Sequence, residues 1–359
     1  MERLSSDTIK FMRFPLAVAI VFQHSYACIS SAKPADISGM WAWQVIDAVR
    51  GFCSWIIIGA ALMAFALISG YLFFQNWGKN DNNIPVWNWR VYGRKMYNRV
   101  FSLLIPYVVW NLLSAWYMHE PVTWHIFWNQ ISWGADNTNI FGQQMLATYA
   151  PIDSPLWFIR DLFLISLCAP ILFPLIKYGK HYTALLFLII FLLKTPAWTP
   201  SITLLPWFVI GAYLSICGKD LSSTACKLWK PWMWVIIAAS GFLLPLDGIV
   251  HQILQPIVMT FICLFYFWSA TKIVEKKPFE TPDVVAHGSV AVYAAHAGLG
   301  VINTTASWVA MLIPDSSSCV LLLIRYFLSP MLCIAVIMFA FWLIYPSIAA
   351  RILTGKIKK

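Results

Sequence analysis

Long apolar runs, separated by short clusters of polar and basic residues, repeat from one end of this chain to the other. About 20 apolar residues of α-helix span the roughly 30 Å of a bilayer's hydrocarbon core, and the polar clusters mark where such helices would end. Ten runs fit: 10–28, 54–75, 100–118, 156–176, 182–194, 202–217, 232–246, 251–270, 289–312 and 320–345. The fifth is short and is followed by Pro196 and Pro200, so it is expected to be tilted, broken or re-entrant. Pro256 inside the eighth predicts a kink. The pattern predicts an all-α integral membrane protein with about ten transmembrane helices. Length alone would admit two soluble domains, but no linker interrupts the spans, and 1–359 reads as one domain.

Composition points the same way. Hydrophobic residues make up 60% of the 359 and charged residues 11%, where a soluble domain carries about 25% charged. Mean hydropathy is +0.69. Lysine and arginine then set the orientation: with a cytoplasmic N-terminus, 20 of the 25 fall in cytoplasmic segments and only Lys33, Arg50 and Lys194 in outer loops. N- and C-termini are both expected in the cytoplasm, and the protein in the cell (inner or plasma) membrane. The net charge of +10 expresses this topology; no nucleic-acid motif accompanies it, and none is expected as a partner. The N-terminus superficially resembles a cleavable signal, but Pro15 and Gln23-His24 interrupt its apolar core, which favours a retained span. The eight cysteines show no CxxC spacing, so no metal site is expected. Cys28 and Cys53, both near the outer side, read as packed thiols rather than a disulfide.

Candidate chemistry begins in the first run, where Arg13 and His24 interrupt a stretch that is otherwise nearly all apolar. Eleven residues of helix turn through about 1100°, close to three full turns, so both side chains share one face about 16 Å apart. That places His24 near mid-depth, where an ionisable side chain is costly and signals function. Imidazole is also the side chain whose ordinary pKa suits proton transfer near neutrality. His296, in Val292-Tyr293-Ala294-Ala295-His296, lies at comparable depth and reads as a hydrogen-bonded structural residue or as a second member of the same site. Arg160 and Asp161 open the fourth run and Arg325 lies in the tenth; Asp161 can neutralise either arginine, as a structural tie or as part of an acceptor site. Arg90, Arg94, Lys95 and Arg99 form the densest basic segment, interleaved with Trp87, Trp89, Tyr92 and Tyr97. It suits an amphipathic helix on anionic lipid, or a phosphate-rich cytosolic ligand. Ser69-Gly70 suits close helix packing or a ligand. The outer loop from His119 to Ser154 has no Lys or Arg, and Trp124, Trp128 and Trp133 in it suit the membrane interface or a sugar.

Taken together, these residues resemble the family-3 membrane acyltransferases, which O-acetylate polysaccharides and related glycans. The resemblance covers about 7–350. It rests on Arg13 and His24, Ile68-Ser69-Gly70-Tyr71, Arg99 leading into Leu104-Ile105-Pro106-Tyr107-Val108-Val109-Trp110, Leu156-Trp157-Phe158-Ile159-Arg160-Asp161-Leu162, Pro206-Trp207-Phe208-Val209-Ile210-Gly211 and Tyr293-Ala294-Ala295-His296. It implies acetyl-CoA as cytosolic acyl donor and co-substrate, and a hydroxyl of a cell-surface glycan or lipid-linked sugar as acceptor. By the same resemblance His24 is the essential residue with Arg13 beside it, and Arg90, Arg94, Lys95 and Arg99 hold the donor phosphates. Trp157, Arg160, Asp161, His296, Arg325 and Ser69 stand on the acceptor side or behind it. Many members carry a further arginine a few residues after the one matching Arg99; Ser102 stands there instead. Many also carry an extra hydrolase-like domain, which this chain lacks, so one protein is expected to complete the transfer alone or with partners.

Two classes of function remain open on these residues. In the enzyme reading His24 is the general base, or a transient acyl carrier, between thioester and hydroxyl. In the alternative the same polar face lines the path of a transporter or flippase for a glycan or lipid-linked solute, without acyl transfer. The basic segment favours the enzyme. A homo-oligomer fits either reading.

Overall fold

In the computed structural model, residues 2–25, 41–78, 85–132, 151–193, 200–243, 249–276, 282–315 and 318–355 are described. Their regular structure is helical throughout: α1 Glu2–His24, α2 Trp41–Gly51, α3 Ile58–Phe74, α4 Trp89–Arg99, α5 Ile105–Tyr117, α6 Trp124–Ile126, α7 Trp157–Leu167, α8 Ala169–Leu192, α9 Pro200–Ile216, α10 Leu221–Leu228, α11 Met233–Leu243, α12 Ile249–Lys276, α13 Asp283–Gly298, α14 Val301–Leu312, α15 Cys319–Ile344 and α16 Ile348–Leu353. Short π-helical stretches join α2 to α3 and α4 to α5.

Five helical stretches are long and apolar enough to cross a bilayer alone: Trp43–Phe74, Trp89–Tyr117, Ala169–Leu192, Leu254–Lys276 and Cys319–Ile344. The count becomes seven if Leu204–Ile216 with Leu221–Leu228, bent by 115°, and Asp283–Gly298 with Val301–Leu312, bent by 72°, are each one span. Exposed Ile171, Leu193, Met311, Val320 and Phe339 cover the outside as lipid-facing residues do. The chain is an all-helical, multi-pass membrane protein among its described residues, with fewer qualifying spans than the ten apolar runs.

The differences have local causes. Run four divides at Cys168 into α7 and α8, and α8 itself breaks at Lys180 (φ 46°, ψ −125°). The Thr183 hydroxyl donates across that break to the Leu175 carbonyl at 2.8 Å, so a sharp turn falls where Lys177 and Lys180 were expected to face the cytoplasm. Run nine is two helices, with Gly300 (φ 62°) supplying the left-handed residue between them. The basic segment is helical. Asn88 caps its first turn by accepting from the Arg90 and Val91 amides, and α4 continues through 100–104 into α5. Arg50, expected in an outer loop, lies in the last turn of α2, which runs on into α3. Pro256 sits two turns into α12 without ending it.

α1 packs against α3, α12 and α13 and is therefore central to the bundle. The α3–α9 crossing is the closest of its contacts. A Cβ on Gly70 would lie 2.0 Å from the Phe208 carbonyl oxygen, and one on Gly211 would lie 2.0 Å from that of Leu67. Backbone touches backbone there, which only glycine permits. This crossing holds α3 in place, and with it the wall of the site described below. Gly211→Val should push the helices apart and lower the unfolding midpoint of detergent-purified protein, at an overpacking cost of about 1–3 kcal/mol or more; an unchanged midpoint would show that the crossing is not tight.

Candidate active site

α1, α3, α4 with its π continuation, α7 and α13 enclose a cavity of about 440 Å³. Of the residues picked out in the sequence, Arg13, Ser69, Lys95 and Arg99 line it, as does Ser102. Arg90 and Arg94 are exposed on α4 and do not.

The three cations in the cavity are held differently. Lys95 Nζ donates to the carbonyls of Gln75 at 2.7 Å and Leu72 at 3.3 Å. Arg99 Nη2 donates to the Ser69 carbonyl at 2.8 Å, and its guanidinium lies 5.4 Å from the Phe73 ring centroid. Lys95 thereby satisfies open carbonyls at the C-terminal end of α3, where helix geometry favours positive charge, and Arg99 adds a second donor to a carbonyl about one turn deeper in the same helix. Arg13 makes no hydrogen bond or ion pair with any described residue. The Ser69 hydroxyl is likewise buried in the cavity wall without a partner. An anion or a polar ligand entering this cavity meets an arginine and a hydroxyl that the fold leaves unused.

His24 is the last residue of α1 and His296 stands in the last turn of α13. Their ring centroids are 4.8 Å apart with planes at 61°. The helix begins at Glu2, ahead of the predicted run, so Arg13 rather than His24 occupies its middle. His296 is fully buried. Its Nδ1 lies 2.7 Å from the Tyr293 carbonyl and 3.2 Å from that of Val292, so Nδ1 carries the proton and donates. Nε2 is left as a bare acceptor, buried and without a partner. Tyr293, one turn earlier, lines the cavity; its ring lies 6.4 Å from that of His296, and its hydroxyl donates to the Pro155 carbonyl.

The remaining sequence candidates separate. Arg160 Nε bonds Asp161 Oδ1 at 2.9 Å, with both side chains buried, and Trp157 opens the same helix half-buried. Arg325 takes Asp315 at 2.7 Å and the Ile313 carbonyl at 3.1 Å, so its carboxylate comes from the adjoining connection and not from Asp161. Trp124 and Trp128 are exposed and stacked at 6.0 Å; Trp133 and Cys28 lie outside the described residues. Among the described residues no three His, Cys, Asp or Glu side chains converge as metal ligands would.

Sequence reasoning missed one buried polar group. The Asp153 amide donates to Asn111 Oδ1 at 3.1 Å, and the carboxylate is fully buried with neither oxygen hydrogen-bonded, the Ser114 hydroxyl beside it. Gly298 makes room, since a Cβ there would lie 2.4 Å from both Asp153 Cγ and Ser114 Oγ. Asn111 and Ser114, three apart in an apolar run, carried a readable signal of an inward polar face. Asp153 in a polar loop carried none.

The profile of the family 3 acyltransferase domain matches residues 7–350. The chain belongs to the family 3 acyltransferases. Neither curated proteins nor solved structures give a match.

The role of Arg99 on α3 is separable from any ligand. Arg99→Met should lower the unfolding midpoint of ligand-free protein, since a charged hydrogen bond contributes about 1.5–3 kcal/mol, while Arg90→Met and Arg94→Met leave it unchanged. Equal behaviour of all three would mean that Arg99 does not hold α3.

Proposed function

We propose that this protein transfers an acetyl group from cytosolic acetyl-CoA to a hydroxyl of a cell-surface glycan or lipid-linked sugar. Family membership supplies acyl transfer, and one observation carries the rest. A basic cavity with an arginine unpaired among the described residues is lined by Tyr293, one helical turn before His296, whose ring meets that of His24.

In this reading Arg13, Lys95 and Arg99 attract the anionic donor, with its phosphates toward α4 and its thioester toward Tyr293. His24 takes the proton of the acceptor hydroxyl, the oxygen attacks the thioester carbonyl, and the C–S bond breaks. The CoA thiolate leaves with the proton that His24 received, so the base is regenerated. His296 cannot serve as donor toward His24 through Nε2; that free lone pair is available to accept from the imidazolium that forms. Arg90 and Arg94, exposed on α4, add to the field that draws CoA phosphates toward the cavity. Trp157, Arg160 and Asp161 stand on the acceptor side. The bend after Gly298 is a device that transporters also use, but a transporter has no need of a thioester-sized basic cavity beside a histidine pair.

Two measurements test this. His24→Ala should insert and fold normally yet lose about 10²–10⁴-fold in acetyl transfer, with His296→Ala losing less; near wild-type transfer by His24→Ala would end the general-base role. In a cysteine-free background, Glu120→Cys should react with an impermeant thiol reagent applied outside intact cells, and Arg94→Cys should not. Both positions are exposed in the fold. Labelling of Arg94→Cys from outside would put the basic segment where no CoA is found and would overturn the cytosolic donor.

A further inference from the structure

Three helices contribute the inner end of the cavity, and each contributes an aromatic ring there. Along α3 the lining residues run from Phe73, beside Arg99, back to Phe65; along α13 they run from Ala286 to Tyr293; along α7 the one farthest from α4 is Phe158. Phe65 to Phe73 is eight residues of helix, so the rings stand about 12 Å from the basic end. The rings touch in sequence: Phe65 to Phe158 at 6.1 Å, Phe158 to Tyr293 at 6.3 Å, and Tyr293 to His296 at 6.4 Å. They form a continuous aromatic wall along the inner end of the cavity, and Tyr293 carries it on to His296. Phe158 and Tyr293 are buried, and the Tyr293 hydroxyl is tied to the Pro155 carbonyl, so the wall is not free to yield.

We propose that Phe65, Phe158 and Tyr293 are an acyl-length stop that confines this protein to short-chain acyl thioesters. This rests on the acyl-CoA reading above. A donor held by its phosphates at Lys95, Arg99 and Arg13 presents its acyl carbons to the rings. Each added methylene then drives the thioester carbonyl back toward the basic end and away from His24. Retreat of about 1 Å is enough to cost on the order of 10²-fold in rate, and one surplus methylene in a fitted pocket costs about 10–200-fold. Phe158, at the centre of the wall, is the residue on which chain length depends most.

The test compares detergent-purified full-length wild type, Phe158→Ala and Phe65→Ala with acetyl-, butyryl- and hexanoyl-CoA. CoA release is measured with a glycan acceptor present, and binding of each thioester is followed by thermal shift. Wild type should favour acetyl-CoA over butyryl-CoA by at least about tenfold in kcat/KM. Phe158→Ala should bring butyryl-CoA up to or above acetyl-CoA, with Phe65→Ala shifting the same way by less. Phe158→Leu, which keeps the packing, should shift in the same direction and serves if the alanine variants do not fold. A flat chain-length profile in wild type, or variants that lose all three thioesters in proportion while keeping the wild-type midpoint, would overturn the stop. Should wild type bind the thioesters and consume none, acyl transfer itself fails. The stop is then judged by binding alone: affinity falling with chain length in wild type but not in Phe158→Ala supports it, and equal affinities overturn it.

Discussion

Every cation inside a lipid-embedded helical bundle has to be answered from within the protein, because hydrocarbon offers neither water nor counterion. This chain meets the requirement locally. Arg160 has the carboxylate of the next residue, Arg325 has Asp315 and a carbonyl, and Arg50 has Asp47 at 2.5 Å. Lys95 uses the unpaired carbonyls at the end of α3, and Arg99 a carbonyl about one turn deeper in that helix. Among the cations of the cavity Arg13 alone is left unanswered. The fold pairs its other deep cations, whereas Arg13, on the central helix, has no partner among the described residues.

The same constraint explains why the bundle departs from straight spans at certain places. A helix end inside the bundle exposes carbonyls that need donors, so each break has to come with a partner. The end of α3 has Lys95. The break at Lys180 has the Thr183 hydroxyl. At the end of α13 the Leu299 and Gly300 amides close back onto Ala295 and Ala297, and Gly300 turns the chain into α14. That last break leaves His296 in a terminal turn facing α1, and it brings Gly298 against Asp153 on another side of the same helix.

Much of this was legible in the sequence because hydrophobicity and charge act locally. The Arg13–His24 spacing places both on the face of α1 turned toward α13, since Arg13 lines the cavity that α13 also lines and His24 meets His296. The helical class and the multi-pass character followed from the apolar runs. The number of spans did not, because a run of apolar residues does not say whether the chain within it turns. Lys180 and the Leu299–Gly300 break show that backbone angles and hydrogen bonds within a few residues of the break decide this. The basic segment forms a helix, as its amphipathic reading allowed: Asn88 supplies the cap, and no proline or β-branched run follows before α5. Which of its four cations face inward follows from helical phase, which the packing of α4 sets and its composition does not. The aromatic wall was invisible for another reason. Its rings come from three helices far apart in sequence, and each is ordinary in its own helix.

The distance between Arg13 and His24 also divides their work. Eleven residues of helix separate their Cα atoms by about 16 Å, and side chains on a helix lean toward its N-terminus. Arg13 therefore leans away from His24, and no single reacting carbon touches both. On the proposed chemistry Arg13 acts on the anionic end of the donor and His24 on the transferring end, with the cavity between them serving as the measure of the donor's length. The histidine end has its own source of stabilisation. α1 and α13 both finish there, and the carbonyl ends of two helices meet a positive charge favourably, each by about 0.3–1 kcal/mol at exposed sites and by more where water is excluded. On the proposed chemistry that preference acts on the imidazolium that His24 becomes as it takes the proton, and not on an uncharged ring. Only interactions of that kind raise a rate rather than an affinity.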